Sequence, residues 1–180
     1  MFVLGVDPGL TRCGYCVLES AAPVAGGRAS GAVRPRVAAL GVLRTDAADP
    51  LPARLAELQR EMRDLLVEFR PGAVAVERVL FQANVRTAMS VGQASGIVMA
   101  EAHAAGCEVV QYSPNEVKSA VAGWGGADKA QMQQMVQTLL GLAVRPDPPD
   151  AADAAALALC HLAMAPMRDA SSRALTGGLR

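Results

Sequence analysis

The sequence predicts an α/β fold in which helices flank a mixed five-stranded sheet. Three apolar strand patterns follow one another directly near the N-terminus, which indicates antiparallel neighbours. Further along the chain, strand patterns alternate with helical ones, as in the βαβ crossovers of parallel sheets. A chain of 180 residues with 52% hydrophobic residues is long enough for one domain with a full core and too short for two ordinary ones.

The first two strands are expected to form a hairpin with a carboxylate at its tip. The apolar run Phe2–Asp7 is followed, across a Pro-Gly turn, by a second strand pattern at residues 12–18. Residues 20–35 are rich in Ala, Gly, Pro and Arg and show no periodicity, which predicts a surface loop. A third strand pattern follows at residues 37–45.

The next predicted elements are an amphipathic helix and a buried strand. Apolar residues recur at three- and four-residue spacing between Leu51 and Phe69, which places one helix face on the core. Pro71 and Gly72 end this helix. Ala73–Glu77 then has four apolar residues before its carboxylate, a pattern typical of a strand that is buried on both faces.

The helix predicted at residues 84–106 has unusually small side chains between Gly92 and Ala100. Small side chains let another helix approach closely, so packing against a partner subunit is one interpretation and tight packing within the subunit is the other. Glu108–Tyr112 is predicted to be the fifth strand. Ser113 is expected to begin a helix, because Pro follows it directly and Glu follows three residues later.

Two more helices are predicted after a glycine-rich turn at residues 121–126. They span about residues 128–140 and 149–165, and a proline-rich connection separates them. Residues 167–180 show no apolar period, which predicts a disordered tail. The globular domain is therefore expected at residues 1–166.

The charges balance, with 17 basic and 17 acidic residues, so any surface that binds a polyanion has to be local. Lys118 and Lys129 are the only lysines, and the other 15 basic residues are arginine. Taken alone, the two lysines fit solvated helix positions as well as functional ones.

The cysteines do not predict a metal or redox site. Cys13 and Cys16, the only close pair, lie in a strand pattern, where positions three apart point to opposite faces. We therefore expect buried thiols in a reducing compartment. The sequence shows no signal-peptide pattern and no uncharged apolar stretch long enough to span a bilayer, so a cytoplasmic protein without membrane contact is expected.

Four carboxylates are candidates for chemistry. Asp7 and Glu77 each end a strand, whereas Asp150 and Asp153 share one face near the start of an apolar helix. Considered singly, Asp7 fits a turn cap and Asp150 a helix cap, but Glu77 follows four apolar residues and fits neither role. Clustered carboxylates without histidine or thiolate bind Mg²⁺ or Mn²⁺ rather than zinc. Two such ions can activate water and stabilise the leaving oxygen in phosphodiester hydrolysis.

Six motifs in order, over about residues 2–165, resemble those of the RuvC family of Holliday-junction resolvases. The motifs are FVLGVDPG at 2–9, VAVERV at 74–79, VGQASG at 91–96, NEVK at 115–118, DKAQ at 128–131 and DAAD at 150–153. The resemblance implies a ribonuclease H-like fold and a homodimer that makes paired symmetric nicks in four-way DNA junctions during recombination and repair. It also implies branch-migration partners of the RuvA and RuvB type.

The resemblance also implies the site residues. The catalytic and metal-binding carboxylates would be Asp7, Glu77, Asp150 and Asp153, with two Mg²⁺ or Mn²⁺ ions per active site. Asp7 would bridge the ions, Glu77 and Asp153 would each hold one, and Asp150 would be either a ligand or the base that orients water. Water activated by the metal would attack the phosphodiester in line and leave 5′-phosphate and 3′-hydroxyl ends.

Lys118 and Lys129 match the lysines with which the family contacts DNA. Three residues after its catalytic glutamate the family often carries an aromatic residue that presses on junction bases, whereas this chain has Leu80 followed by Phe81. Either Phe81 takes over the stacking or the wedge is aliphatic. Further candidate phosphate contacts are Arg12, Arg78 and Arg86.

Two other functions fit parts of the pattern. The motif D-x-G-x-T that begins at Asp7 also occurs in actin-like phosphotransferases and ATPases, but those enzymes need a second lobe for which this chain has no room. A junction-binding scaffold without catalysis is the other alternative. Such a protein would have no use for four acids that repel phosphate.

Overall fold

The computed structural model describes residues 1–20, 34–79 and 85–177, with side chains except at 85–87, 167 and 169–177. The predicted surface loop at 20–35 thus lies almost wholly outside the described residues. Leu80 and Phe81 also lie outside them, as does the side chain of Arg86.

The strands form one mixed sheet. They are β1 (Phe2–Asp7), β2 (Arg12–Glu19), β3 (Arg36–Arg44), β4 (Ala73–Glu77) and β5 (Glu108–Tyr112). Their order across the sheet is β3-β2-β1-β4-β5. β2 pairs antiparallel with β1 and β3, whereas β4 pairs parallel with β1 and β5. This sheet confirms the predicted fold class.

Helices cover both faces of the sheet. They are α1 (Leu51–Phe69), α2 (Val85–Ala104), α3 (Pro114–Ala122), α4 (Lys129–Leu140) and α5 (Pro149–Gly177). One core contains α1 and α2, and the other contains α3, α4 and α5. No helix in the described ranges has both the length and the apolar character needed to cross a membrane.

Alternation along the strands divides side chains between the two cores. Val3 and Leu4 are neighbours in β1 and are buried in opposite cores. Cys13 and Cys16 in β2 are likewise buried on opposite faces, which confirms that they cannot chelate one ion. Burial raises the pKa of each thiol to about 12, so neither is a reactive thiolate at neutral pH.

Helix α5 lies unusually close to β1 and β2 because glycines face it. A Cβ atom at Gly5 would lie 2.1 Å from the carbonyl oxygen of Ala154, and one at Gly14 would lie 2.0 Å from that of Asp150. Both distances are shorter than any real contact, so only glycine fits at either position. This packing fixes the first turns of α5 over the end of the β1–β2 hairpin.

The C-terminal helix is longer than the sequence predicts. We expected its end at residue 165, and this was wrong, because α5 continues through Pro166 to Gly177. Proline removes one helical hydrogen bond and bends a helix, but the turns on either side can continue. The division into a domain at 1–166 and a tail at 167–180 stays a prediction.

Candidate active site

Asp7 and Glu77 lie side by side at the carboxyl edge of the sheet. β1 and β4 are parallel neighbours, and the last pair in register before the two acids is Val6 with Val76. Each acid follows buried residues of its strand and is itself partly covered. The two carboxyl groups lie close enough to share a hydrogen bond when one of them carries a proton.

The charged form of Asp7 is unfavourable in the folded protein. Burial is the largest cause of a rise in the Asp7 pKa from 3.8 to about 8, followed by the charges of Glu77 and Asp153. Burial also raises the pKa of Glu77, although the hydrogen bond with Asp7 and the charge of Lys129 oppose that rise. A cation bound between these acids would favour their ionised forms.

Helix α5 brings Asp150 and Asp153 to the same edge. Asp7 pairs across the hairpin with Gly14, and Gly14 lies directly beneath the backbone of Asp150. Asp153 is nearly one helical turn further along, on the same side of α5. The charges of both acids contribute to the raised pKa of Asp7. The structure therefore brings together the four acids that the sequence selects.

Two basic side chains form ion pairs with the acids of α5. Arg12 Nη2 lies 2.5 Å from Asp150 Oδ2, and Lys129 Nζ lies 3.2 Å from Asp153 Oδ2. Among the described residues, no three His, Cys, Asp or Glu side chains are arranged to hold one metal ion.

A cleft of about 240 Å³ opens beside these acids and is lined by both lysines. Lys118 comes from α3 and Lys129 from α4, and the cleft also contains Glu77 and Asp153. Apolar side chains complete its lining; they include Val117, Met132 and Leu157. The structure thus places both sequence-selected lysines at the acidic edge.

Capping boxes fix the starts of the two helices that carry the lysines. Ser113 and Glu116 exchange hydrogen bonds at the start of α3, as their spacing predicts. Asp128 and Gln131 do the same at the start of α4. Because Lys129 directly follows the cap residue, its backbone position is set by this interaction.

The other predicted DNA contacts are only partly described. Arg78 follows Glu77 directly, and its Nη2 donates a hydrogen bond of 3.3 Å to the backbone oxygen of Gln111. Arg12 pairs with Asp150, and its buried Nε has no hydrogen-bond partner among the described residues. The sequence did not predict this pairing, since the two residues are 138 positions apart.

A family model described as crossover junction endodeoxyribonuclease RuvC matches residues 3–161. The chain belongs to the RuvC family. The protein of that name from Salinispora arenicola is 50% identical over 185 residues, an alignment that covers 100% of both chains. The one from Streptomyces avermitilis is 48% identical over 176 residues, covering 97% of this chain and 94% of the relative.

Solved structures show the same fold. Two structures of Thermus thermophilus RuvC, one of them in complex with a Holliday junction substrate, superpose with a TM-score of 0.82 at 37% identity. Each superposition covers 93% of this chain and 96% of the other. Membership of the RuvC family confirms the resemblance seen in the sequence and does not favour the actin-like or scaffold alternatives.

Proposed function

We propose that the chain is a metal-dependent endodeoxyribonuclease that resolves four-way DNA junctions by paired symmetric nicks in recombination and repair. The observation that carries this proposal is the meeting of four carboxylates at one sheet edge, beside a cleft that both lysines line. The names of the RuvC relatives and the junction complex of the Thermus thermophilus protein support the choice of substrate.

We propose that the metal is Mg²⁺ or Mn²⁺, with two ions per site. The donors are all carboxylate oxygens, which hard divalent cations prefer. Every interaction that shifts the pKa of Asp7 raises it, so positive charge would be favourable there. Asp7 would bind both ions, and Glu77 and Asp153 would each bind one. The bound ions would supply water of lowered pKa and neutralise charge on the phosphodiester.

Asp150 is the acid that pairs with Arg12. Its carboxylate accepts a hydrogen bond from Arg12, which fixes its orientation over the hairpin. From this position Asp150 would act as a metal ligand or as the base that orients the attacking water. In either role the water oxygen bonds to phosphorus and the bond from phosphorus to O3′ breaks, which leaves 5′-phosphate and 3′-hydroxyl ends.

The lysines would hold the DNA backbone in the cleft. Repulsion between the acids and phosphate has to be offset locally, because the protein carries no net charge. Lys118 and Lys129 lie on neighbouring helices that line the cleft, so a strand that enters it would meet positive charge from both. Arg78 would extend this contact at the end of β4.

We propose that two copies dimerise through α2. Ala94 and Val98 are buried in the core, whereas a Cβ atom at Gly92 or Gly96 would meet no atom of the described residues within 4 Å. Met89 is 61% exposed in the same helix. An open helix surface lined by glycine lets a second helix approach closely, and a two-fold dimer can present two active sites to the two strands of a junction.

The partners and location follow from this function. We propose that branch-migration proteins of the RuvA and RuvB type deliver the junction, as the family resemblance implies. The cytoplasm is then the proposed location, because the chromosomal substrate lies there.

Cleavage of a synthetic junction tests the proposal. The protein is incubated with a four-way junction and with a linear duplex of matched sequence, each with Mg²⁺ and with EDTA. We expect paired nicks with 5′-phosphate ends in the junction only, and only with metal. Equal cutting of both DNAs, or cutting in EDTA, would contradict the proposed specificity or the proposed metal dependence.

A further inference from the structure

Trp124 is the only tryptophan of the chain, and 56% of the residue is exposed. It lies in the turn between α3 and α4, with glycine on either side. Tryptophan has a large apolar surface, and leaving that surface in water forgoes the stabilisation that burial would bring. None of the roles assigned above to the acids, lysines or α2 uses this side chain.

The fold holds the indole in one place. Val121 and Ala127 are buried on either side of the turn, and Gly123 ends α3 with a positive φ of 82°. A Cβ atom at Gly126 would lie 2.2 Å from Cζ3 of Trp124, so the six-membered ring rests directly on the Gly126 backbone. The ring is thus supported on one side and open to solvent elsewhere.

The turn joins the two helices that carry the lysines. Lys118 lies in α3, six residues before Trp124, and Lys129 begins α4, five residues after it. Both lysines line the cleft together with Glu77 and Asp153. The indole therefore lies on the same helix–turn–helix segment as the two lysines that would bind phosphate.

We propose that Trp124 is a stacking platform for one base of the bound junction. Cationic side chains grip phosphates, whereas a base presents a flat face that an aromatic ring can cover. The exchange point of a four-way junction exposes base faces that a continuous duplex hides in its stack. This inference rests on the proposed function, because it takes the junction as the ligand.

The size of the exposed patch favours a base over a protein partner. The turn residues next to Trp124 are glycines and add no apolar side chain to the exposed indole. A stable protein interface buries about 800 Å² on each partner. One indole plane on the segment that carries two lysines matches a nucleotide instead.

Fluorescence reports directly on this contact, since all tryptophan emission comes from Trp124. The parent protein is titrated with a four-way junction in EDTA, so that binding is observed without cutting, and acrylamide quenching is measured at each point. We expect the junction to quench the emission and to shield the ring from acrylamide. A linear duplex of matched sequence should do so far less.

Variants separate stacking from phosphate binding. Trp124→Ala should weaken junction binding by about five- to a hundredfold, and Trp124→Phe should restore most of the affinity. The dependence of affinity on salt should stay as in the parent, because stacking releases no counterions. Val67→Ala, which shortens an exposed apolar side chain on α1, is the matched control and should bind as the parent does.

The outcomes distinguish this inference from the proposed function. If the parent binds and cuts the junction but its emission does not change and Trp124→Ala binds equally well, the inference is wrong and the proposed function stands. If the parent neither binds nor cuts the junction, the proposed function itself fails. Emission that changes with protein concentration, and not with DNA, would assign Trp124 to a contact between copies of the chain and overturn the inference.

Discussion

Asp7 holds its proton more tightly in the folded protein than in the unfolded chain. Its pKa rises from 3.8 to about 8 on folding, with burial as the largest cause. The folded state therefore binds more protons between these two pKa values, and stability falls as pH rises through that window. The stabilising contribution of the protonated form is complete below the lower pKa and is lost as pH passes the upper one.

We predict that Asp7→Asn makes the metal-free protein less sensitive to pH. Asparagine keeps the shape of the side chain and a hydrogen-bond donor but cannot ionise. Urea unfolding in EDTA at about pH 5 and about pH 8 should show a smaller loss of unfolding free energy for the variant than for the parent. Asp64→Asn, at an exposed position of α1, should behave like the parent. If the parent and Asp7→Asn lose the same unfolding free energy between the two pH values, the raised pKa of Asp7 is contradicted.

The sequence was sufficient to select the acids but not their partners. Strand ends and helix spacing are visible in a sequence, so Asp7 and Glu77 could each be placed at the end of a strand. The pairing of Arg12 with Asp150 depends on how α5 lies across the hairpin, and no local pattern reveals that. The roles assigned to the acids came from the family resemblance, because periodicity alone left ordinary capping roles open for Asp7 and Asp150.

At the scale of elements, the position of α5 depends on two glycines in the sheet. A side chain at Gly14 would collide with the backbone of Asp150, and a flexible side chain cannot relieve that contact by turning away. The helix as a whole would have to move. Since α5 carries two of the four acids, its distance from the sheet also sets the geometry of the site.

We predict that Gly14→Ala destabilises the fold and impairs cleavage. Overpacking of this kind typically lowers unfolding free energy by about 1–3 kcal/mol. Thermal unfolding measures the first effect, and cleavage at saturating metal and DNA measures the second. Ala56→Ser, which adds one heavy atom at an exposed position of α1, is the matched control. A Gly14→Ala variant as stable and active as the parent would show that α5 does not need this close approach.

The orientation of α2 changes how the dimer is tested. Ser95 lies among the small residues from which the sequence suggested an interface, but it is 2% exposed and faces the core. A bulky residue there would disrupt the fold rather than a dimer. The composition of the stretch could be read from the sequence, but the direction of each side chain could not, because small residues occur on both sides of the helix.

We predict that Gly96→Trp shifts the protein from dimer to monomer without unfolding it. The new side chain would project into open space in one subunit and would obstruct a partner helix. Sedimentation velocity reports the oligomeric state, and circular dichroism confirms that the fold is kept. If Gly96→Trp remains a dimer, the interface does not lie on this part of α2.

At the scale of the whole molecule, zero net charge makes DNA binding depend on where charges lie. The sequence predicted that any phosphate-binding surface is local, and the structure brings both lysines to one cleft. The fold class, a mixed five-stranded sheet flanked by helices, followed from strand and helix periods. The close packing of α5 and the length of that helix did not, because they depend on contacts between distant segments.

We predict that Lys118→Ala and Lys129→Ala each flatten the slope of log affinity against log salt by about one unit. Each variant removes one positive charge from the cleft, so binding should weaken with little regard to base sequence. Fluorescence anisotropy of a labelled junction over a salt series measures the slope. Arg60→Ala removes an exposed charge from α1 and serves as the control. Unchanged slopes for both lysine variants would contradict this prediction and indicate that arginines such as Arg78 make the phosphate contacts.

Single-turnover cleavage by Asp7→Asn tests the central claim most directly. The variant and the parent are each saturated with a four-way junction, binding is verified by gel shift, and the reaction is started with excess Mg²⁺. If Asp7 is the acid shared by both metal ions, the variant binds the junction at least as well as the parent but makes no paired nicks, while Asp64→Asn cuts at the parental rate. Substantial cutting by Asp7→Asn at saturating metal would contradict the site.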